Sequence, residues 1–136
     1  MNIEITVTAQ QQGLTDVTAP VRQAVATSGI QEGVVHVFIR HTSASLTIQE
    51  NADPRVLDDM ANFLNQLVPE DPILYTHNDE GPDDMPAHIK AAITTASLPI
   101  PVSDGRLALG TWQGIFLWEH RHRAHNRKVV VHTVGE

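Results

Sequence analysis

Three separated segments hold most of the side chains that could carry out chemistry. They extend from Arg40 to Asp53, from His77 to His88, and from Gly110 to Arg121. The chain has eight histidines and no cysteine, so imidazole is its best metal ligand and its best proton carrier near neutral pH. Disulfides, thiolate metal sites and thiol nucleophiles are excluded. We therefore expect a pocket built from histidines and carboxylates of these three segments.

Size and charge restrict the classes of partner. The chain has 136 residues, which suits a single domain over residues 1–136, and its net charge is -7. Nucleic-acid-binding domains are normally basic, so we expect no nucleic-acid partner. No apolar run approaches the roughly 20 residues of a membrane span. The N-terminus lacks the basic and apolar regions of a secretory signal. These features predict a cytoplasmic protein with no membrane partner.

Hydrophobic periodicity predicts the elements that must position the three segments. Ile3, Ile5 and Val7 alternate with polar residues as in a half-buried strand. Thr15 and Asp16 are predicted to cap a helix that stops at Gly29. Strands are expected over residues 34–41, 44–50, 98–102, 107–109, 115–120 and 128–134, and a short helix carries Ile89 and Ile93.

The clearest helix begins at Asp53-Pro54. The Asp53 side chain can accept a hydrogen bond from a free backbone N–H, and proline at the first helical position loses no hydrogen bond. Apolar residues follow at helical spacing: Val56, Leu57, Met60, Phe63, Leu64 and Leu67. Pro99 and Pro101 suggest an edge strand. Without regular βαβ alternation, the pattern predicts an α+β fold, a small and mainly antiparallel β-sandwich with two to three helices.

Five motifs in one order resemble the YjbQ-like family. They are His41-Thr42-Ser43-Ala44, Glu50-Asn51-Ala52-Asp53, the segment His77–Lys90, Asp104-Gly105-Arg106-Leu107 and Gly110-Thr111-Trp112-Gln113. The resemblance implies a small α+β sandwich, a homotrimer, histidines that hold a metal, and secondary thiamine-phosphate synthase activity. The chain departs from the family pattern after Gly81, where Pro82-Asp83-Asp84-Met85-Pro86 precedes His88, and the role of a family asparagine could pass to Asn78.

The resemblance brings His41, His77 and His88 together as a hypothetical cluster for a divalent metal, zinc or else magnesium or manganese. Three protein ligands and one open position are usual in catalytic zinc sites. The alternative is a metal-free acid–base pocket. Glu50, Glu80 and His41 are the candidate catalytic residues. Glu50 shares a strand face with Leu46 and Ile48, which predicts that its carboxylate is buried and needs a partner. The alternative for the acidic loop, above all Asp83 or Asp84, is helix capping.

Eight residues are candidates for substrate binding. The amide of Gln113 is hard to place in a core, whereas Trp112 fits a core or a binding wall equally well. Arg121, Arg123 and Arg127 could recognise phosphate through their forked N–H donors or could form a solvated loop. Serine hydrolase chemistry is disfavoured because no Gly-x-Ser-x-Gly motif is present. The candidates are Thr42, Ser43, Asn51, Asp53, Thr111, Trp112, Gln113 and Arg121.

The resemblance implies a small-molecule transferase that joins a pyrimidine diphosphate to a thiazole phosphate. No Gly-rich loop that opens a helix is present to hold phosphate. The resemblance, to secondary thiamine-phosphate synthases, implies that this activity is a weak side activity. Since such a phosphate-binding loop is absent, we expect the native substrate to be a different anionic metabolite. The alternatives are a metal-dependent hydrolase or lyase, and a metal- or metabolite-binding oligomer without turnover.

Overall fold

The computed structural model describes all 136 residues. It contains three α-helices, eight strands and one 3₁₀ turn at Pro72–Leu74. The helices are α1 (Thr18–Ser28), α2 (Pro54–Leu67) and α3 (Asp84–Ile93). The strands are β1 (Asn2–Ala9), β2 (Gly13–Asp16), β3 (Gly33–Ile39), β4 (Ala44–Glu50), β5 (Ser97–Ser103), β6 (Arg106–Leu107), β7 (Gln113–Glu119) and β8 (His125–Gly135).

The strands form two sheets in which every pairing is antiparallel. One sheet has the order β1-β8-β3-β5-β6 and the other β2-β7-β4. The main apolar core of 17 buried residues draws on both sheets and on α1, including Val21, Val35, Leu46, Leu117 and Val129. Burial of apolar surface is the main stabilising contribution of this core. The predicted α+β class with a mainly antiparallel sheet is confirmed.

Helix α2 begins as the sequence predicts. The Asp53 carboxylate accepts a hydrogen bond from the Arg55 N–H, and Pro54 is the first helical residue. Its apolar face, however, is poorly covered: Leu64 is the only buried residue, while Phe63 is 66% exposed and Leu67 is 58% exposed. Ile73, in the turn that follows, is 91% exposed.

Two local predictions are corrected. Thr15 and Asp16 lie in β2, a strand that the sequence did not reveal, and Val17 occupies the N-cap position of α1 without a side-chain hydrogen bond of its own. Asp16 nevertheless caps the helix as predicted, because its Oδ1 accepts a hydrogen bond of 2.9 Å from the N–H of Thr18, the first helical residue. The strand expected over 107–109 is only Arg106–Leu107. The Asp104-Gly105 turn that joins it to β5 is as expected, since both residues have positive φ, 53° and 72°.

None of the helices combines the length and the hydropathy needed to cross a bilayer.

Candidate functional site

The pairing of β4 with β7 decides where the predicted site residues lie. Ala44 pairs with Glu119 at one end of the two strands, and Glu50 pairs with Gln113 at the other. Six residue steps along a strand span about 20 Å. The residues expected in one pocket therefore fall into two groups at opposite ends of β4.

A His–Asp–His group forms at the Ala44 end. The Oδ2 atom of Asp84 lies 3.0 Å from Nε2 of His77 and 3.3 Å from Nε2 of His88. The three ligand atoms all lie within 4.8 Å of one another, as a shared metal ion would require. The Asp84 side chain is only 2% exposed, whereas those of His77 and His88 are 48% and 33% exposed. The buried Asp84 carboxylate thus anchors the group, and the two imidazole rings are open to solvent.

Helix α3 aligns two members of this group. Asp84 and His88 are four residues apart in the helix, so their side chains lie on the same face. His77 arrives from the preceding loop. The other oxygen of Asp84, Oδ1, accepts a hydrogen bond of 2.9 Å from Nη1 of Arg121. The arginine therefore fixes the carboxylate and leaves Oδ2 facing the two imidazoles.

The Thr42 carbonyl sets the orientation of His88. Nδ1 of His88 lies 3.1 Å from this carbonyl oxygen, which can only accept, so Nδ1 carries the proton. In a neutral ring Nε2 then presents its lone pair towards Asp84 Oδ2. The Nε2 lone pair of His88 and the Asp84 oxygen, 3.3 Å apart, repel each other unless a positive ion lies between them or one of them carries a proton. A metal ion or a second proton on His88 removes this repulsion.

The guanidinium of Arg121 is held entirely by groups of the His77–His88 segment. Its Nε donates to Asp83 Oδ2 at 3.0 Å and its Nη2 donates to the Glu80 carbonyl at 2.9 Å. The hydrogen bond with Asp83 raises the pKa of Arg121. Burial raises the pKa of Asp83, but hydrogen bonds from Arg121 and from the His122 N–H outweigh it and leave that pKa lowered. The guanidinium N–H groups of Arg121, which the sequence predicts to bind phosphate, thus already donate hydrogen bonds to other groups of this chain.

The capping role considered for Asp83 and Asp84 is wrong. Asp83 occupies the N-cap position of α3, but its side chain makes no capping hydrogen bond. Both carboxylates face Arg121 instead. The spacing of Asp84 and His88 was the signal available in the sequence, because i and i+4 residues of a helix share a face.

His41 lies outside the His–Asp–His group. Its Nε2 accepts a hydrogen bond of 2.7 Å from the backbone N–H of Lys128, which occupies the lone pair that a metal would need at that atom. Burial and the positive charge of Arg127 lower the pKa of His41 and favour its neutral form. The sequence predicts His41 as the third member of the group with His77 and His88, whereas in the structure the third member is Asp84.

A buried ion pair supports the loop that carries Thr42. The carboxylate of Glu119, which is 0% exposed, binds Nε of Arg127 at 2.7 Å and also binds Nη2. The same guanidinium donates to Ser43 Oγ at 3.0 Å. Both roles considered for Arg127, in phosphate recognition and in a solvated loop, are therefore wrong, and Ser43 serves in this network.

A second buried polar group lies beneath α3. Nε2 of His120 is 2.9 Å from Ser45 Oγ, while its Nδ1 is buried without a partner. Burial, with smaller contributions from Lys90 and Arg127, lowers the pKa of His120 to about 3. Lys90 is 1% exposed, and burial lowers its pKa. Neither the burial of His120 nor that of Lys90 was predicted.

The Glu50 end of β4 holds the remaining candidates in local hydrogen bonds. Glu50 Oε2 accepts from the Asp53 N–H at 3.2 Å, whereas the Glu80 carbonyl binds Arg121 beyond the opposite end of β7, so Glu50 and Glu80 do not meet. Asn51 Nδ2 donates to the carbonyls of Thr111 and Gln113, each at 3.4 Å. Gln113 Oε1 accepts from the Gly110 N–H at 2.8 Å. Trp112 is 66% exposed, so the alternative of a core tryptophan is wrong.

Together these features define an α+β protein of two antiparallel sheets with a solvent-open His–Asp–His group at the end of one strand pair. The family model described as UPF0047 protein YjbQ-like matches residues 3–136. The chain therefore belongs to the YjbQ-like family, as the resemblance of its motifs indicated.

Relatives and solved structures agree along the length of the chain. A UPF0047 protein of Synechocystis sp. is 54% identical over 132 residues, which cover 97% of this chain and 90% of that protein. The YjbQ protein of Escherichia coli O157:H7 is 41% identical and covers 97% of this chain and 96% of its own length. A crystal structure of a protein of unknown function from Sulfolobus solfataricus P2 is 30% identical with a TM-score of 0.91, covering 100% of this chain and 97% of the other.

Proposed function

We propose that the protein is a metal-assisted enzyme for a small anionic molecule, with a divalent metal bound by His77, Asp84 and His88. The observation that carries the proposal is the convergence of three ligand atoms on one point, with the His88 lone pair turned towards it by the Thr42 carbonyl. A divalent metal at such a point supplies Lewis acidity and lowers the pKa of water.

The donor set favours zinc over magnesium. Two imidazole nitrogens and one carboxylate oxygen are common zinc ligands, whereas magnesium prefers oxygen ligands alone. The exposed faces of His77 and His88 leave room for a substrate. Three protein ligands with an open position are the arrangement expected of a catalytic metal site.

Residues around the ligands hold them in place. Arg121 fixes the Asp84 carboxylate through Oδ1, and the Thr42 carbonyl keeps the proton of His88 on Nδ1. Glu80 lies in the same loop as His77, and its carbonyl binds Arg121. Because Glu50 lies at the far end of β4, we assign the proton-transferring carboxylate to Glu80 rather than to Glu50.

Thiamine-phosphate synthase activity belongs to the proposal as a weak side activity. It is implied by the family resemblance, and a metal beside an open surface could neutralise the pyrophosphate released from the pyrimidine diphosphate. Arg121 is engaged internally, so no arginine of this site is free to hold phosphate. The native substrate is therefore a different anionic metabolite.

A metal-free acid–base site is the alternative that the same geometry favours. If His88 carries protons on both nitrogens, His77 and His88 clamp the Asp84 carboxylate without a metal. The site would then act through proton transfer by an imidazolium.

Metal content separates these two alternatives. Untagged protein is incubated with zinc, desalted and analysed by elemental mass spectrometry beside Asp84→Asn and its control Asp79→Asn. Asp79 is an exposed carboxylate of the same loop without a hydrogen bond, so the control changes the charge equally. We expect near-stoichiometric zinc in the wild type and in the control. We expect a fall of more than about 100-fold in the affinity of Asp84→Asn, since outer partners alone contribute about 10–100-fold.

Two results would contradict the metal proposal: absence of zinc from the wild type, or its undiminished retention by Asp84→Asn.

Formation of thiamine phosphate from the pyrimidine diphosphate and the thiazole phosphate is then measured for the same three proteins. Equal rates for all three would remove this site from that activity.

We further propose that copies of the chain associate, since the resemblance implies a homotrimer. The exposed apolar side chains of α2 and of the following turn support this proposal, because contiguous exposed apolar surface commonly marks an interface. They are Phe63, Leu67, Ile73 and Leu74.

A further inference from the structure

Two arginines outside the His–Asp–His site border one cavity without a counter-ion. The cavity has a volume of about 450 Å³ and is lined by Arg22, Val25, Gly105, Arg106 and Leu107. Its walls come from α1 and from the β5–β6 turn with β6. None of these residues takes part in the metal site proposed above.

The absence of partners sets these arginines apart. Arg40, Arg55, Arg121 and Arg127 each form an ion pair with a carboxylate. Among all seven arginines of this acidic chain, only Arg22, Arg106 and Arg123 form neither an ion pair nor a side-chain hydrogen bond. Two of these three meet at the same cavity. Two neighbouring positive charges without an anion repel each other, so an anion between them is stabilised by both.

Local structure explains how Arg22 and Arg106 come to line the same cavity. Arg22 and Val25 are three residues apart in α1 and so lie on one side of the helix. Asp104 and Gly105 form a tight turn with positive φ, and the Gly105 N–H donates to the Gln31 carbonyl at 2.9 Å. This turn places Arg106 and Leu107 directly across from α1.

Two acidic residues near the cavity, Asp16 and Glu32, form no ion pair with Arg22 or Arg106. Asp16 borders a neighbouring cavity of about 330 Å³ together with Arg22, Thr18 and Asn51. Its Oδ1 accepts from the Thr18 N–H at 2.9 Å, and it forms no ion pair with Arg22. Glu32 accepts hydrogen bonds from the Ser103 hydroxyl and the Asp104 N–H and does not reach Arg106.

We propose that this cavity binds a small phosphate monoester, with its phosphate between Arg22 and Arg106 and its apolar part against Val25 and Leu107. Guanidinium groups match phosphate oxygens through paired N–H donors, and two of them suit a dianion. The volume lies within the range of about 300–1,000 Å³ that small-molecule sites occupy. The apolar residues between the arginines favour an ester over inorganic phosphate.

The test uses phenyl phosphate as the probe, with inorganic phosphate and benzoate as comparisons. Binding to the full chain is followed by calorimetry and by amide chemical shifts, with Gly105 as the reporter in the turn. Arg22→Gln and Arg106→Gln are compared with Arg123→Gln, which removes another exposed and unpaired arginine elsewhere. These positions are exposed, so the variants are expected to fold, and circular dichroism verifies that they do.

We expect phenyl phosphate to bind more tightly than either comparison anion and to shift the Gly105 amide. Arg22→Gln and Arg106→Gln should each weaken binding about tenfold or more, since a hydrogen bond to a charged group is lost. Arg123→Gln should leave binding unchanged, and added salt should weaken it in the wild type.

Several results would overturn the proposal. They are the absence of phenyl phosphate binding at millimolar concentration, equal weakening by Arg123→Gln, and equally tight binding of benzoate. A further contrary result is a change of oligomeric mass in Arg22→Gln or Arg106→Gln without anion binding to the wild type. That result would assign these arginines to an interface between copies.

Discussion

Replacing Glu119 by glutamine should destabilise the fold severely. The substitution keeps the shape of the side chain but leaves the buried Arg127 guanidinium without its negative partner. Breaking a buried ion pair from one side costs about 3–5 kcal/mol. Unfolding entropy of about 2.1 cal/mol/K per residue, applied to 136 residues, gives about 0.29 kcal/mol/K, so Tm should fall by about 10–17 °C.

Urea denaturation followed by circular dichroism measures the loss. The matched control is Glu4→Gln, which breaks the exposed pair with Arg40 and should cost less than about 1 kcal/mol. The double variant Glu119→Gln with Arg127→Met removes both charges and should regain most of the lost stability. A loss below about 1 kcal/mol for Glu119→Gln would refute the reasoning, as would a double variant no more stable than the single one.

Two further predictions concern proton binding and association. Burial holds the pKa of His120 at about 3, whereas the unfolded imidazole titrates near 6.5, so the unfolded state binds more protons as the pH falls below 6.5. Stability should therefore drop towards pH 5 by up to about 1.4 kcal/mol per pH unit, and urea midpoints of His120→Gln should depend less on pH; an unchanged dependence would count against the buried neutral ring. Phe63→Asp should convert the associated protein to the 14.9 kDa monomer in sedimentation, while the control Asn62→Asp should not; a wild type that is already monomeric would contradict the proposed association.

The elements could largely be predicted because their signals are local. The Asp53-Pro54 start of α2 and the alternation of β1 depend on neighbours in the sequence. Strand β2 was missed because Gly13–Asp16 has only four residues and no alternation long enough to recognise. The exposed face of α2 was also unpredictable, since its spacing equals that of a covered helix.

The site could be predicted only in part because its geometry depends on distant contacts. His77 and His88 were grouped, but the bond from the Lys128 N–H to His41 joins residues 87 positions apart. The register of β4 on β7 separates Glu50 from the histidines. Neither contact has a local signature. The position of Asp84 at the start of a helix predicts a cap, because its neighbour Arg121 lies 37 positions away in the sequence and has no local signal.

Because Lys90 is buried, the rate at which its amine reacts measures a motion of α3. The chain has two lysines, and an amine-reactive reagent in water can reach Lys128 but not the enclosed Lys90. The Lys90 amine donates a hydrogen bond to Asn65 of α2, so its modification requires α3 to separate from its neighbours, and the slow second lysine label counted by mass spectrometry measures the opening rate of this helix. Since α3 also carries Asp84 and His88, the labelling rate would report how firmly the helix with two of the three proposed metal ligands is held, without any substrate or assay of turnover.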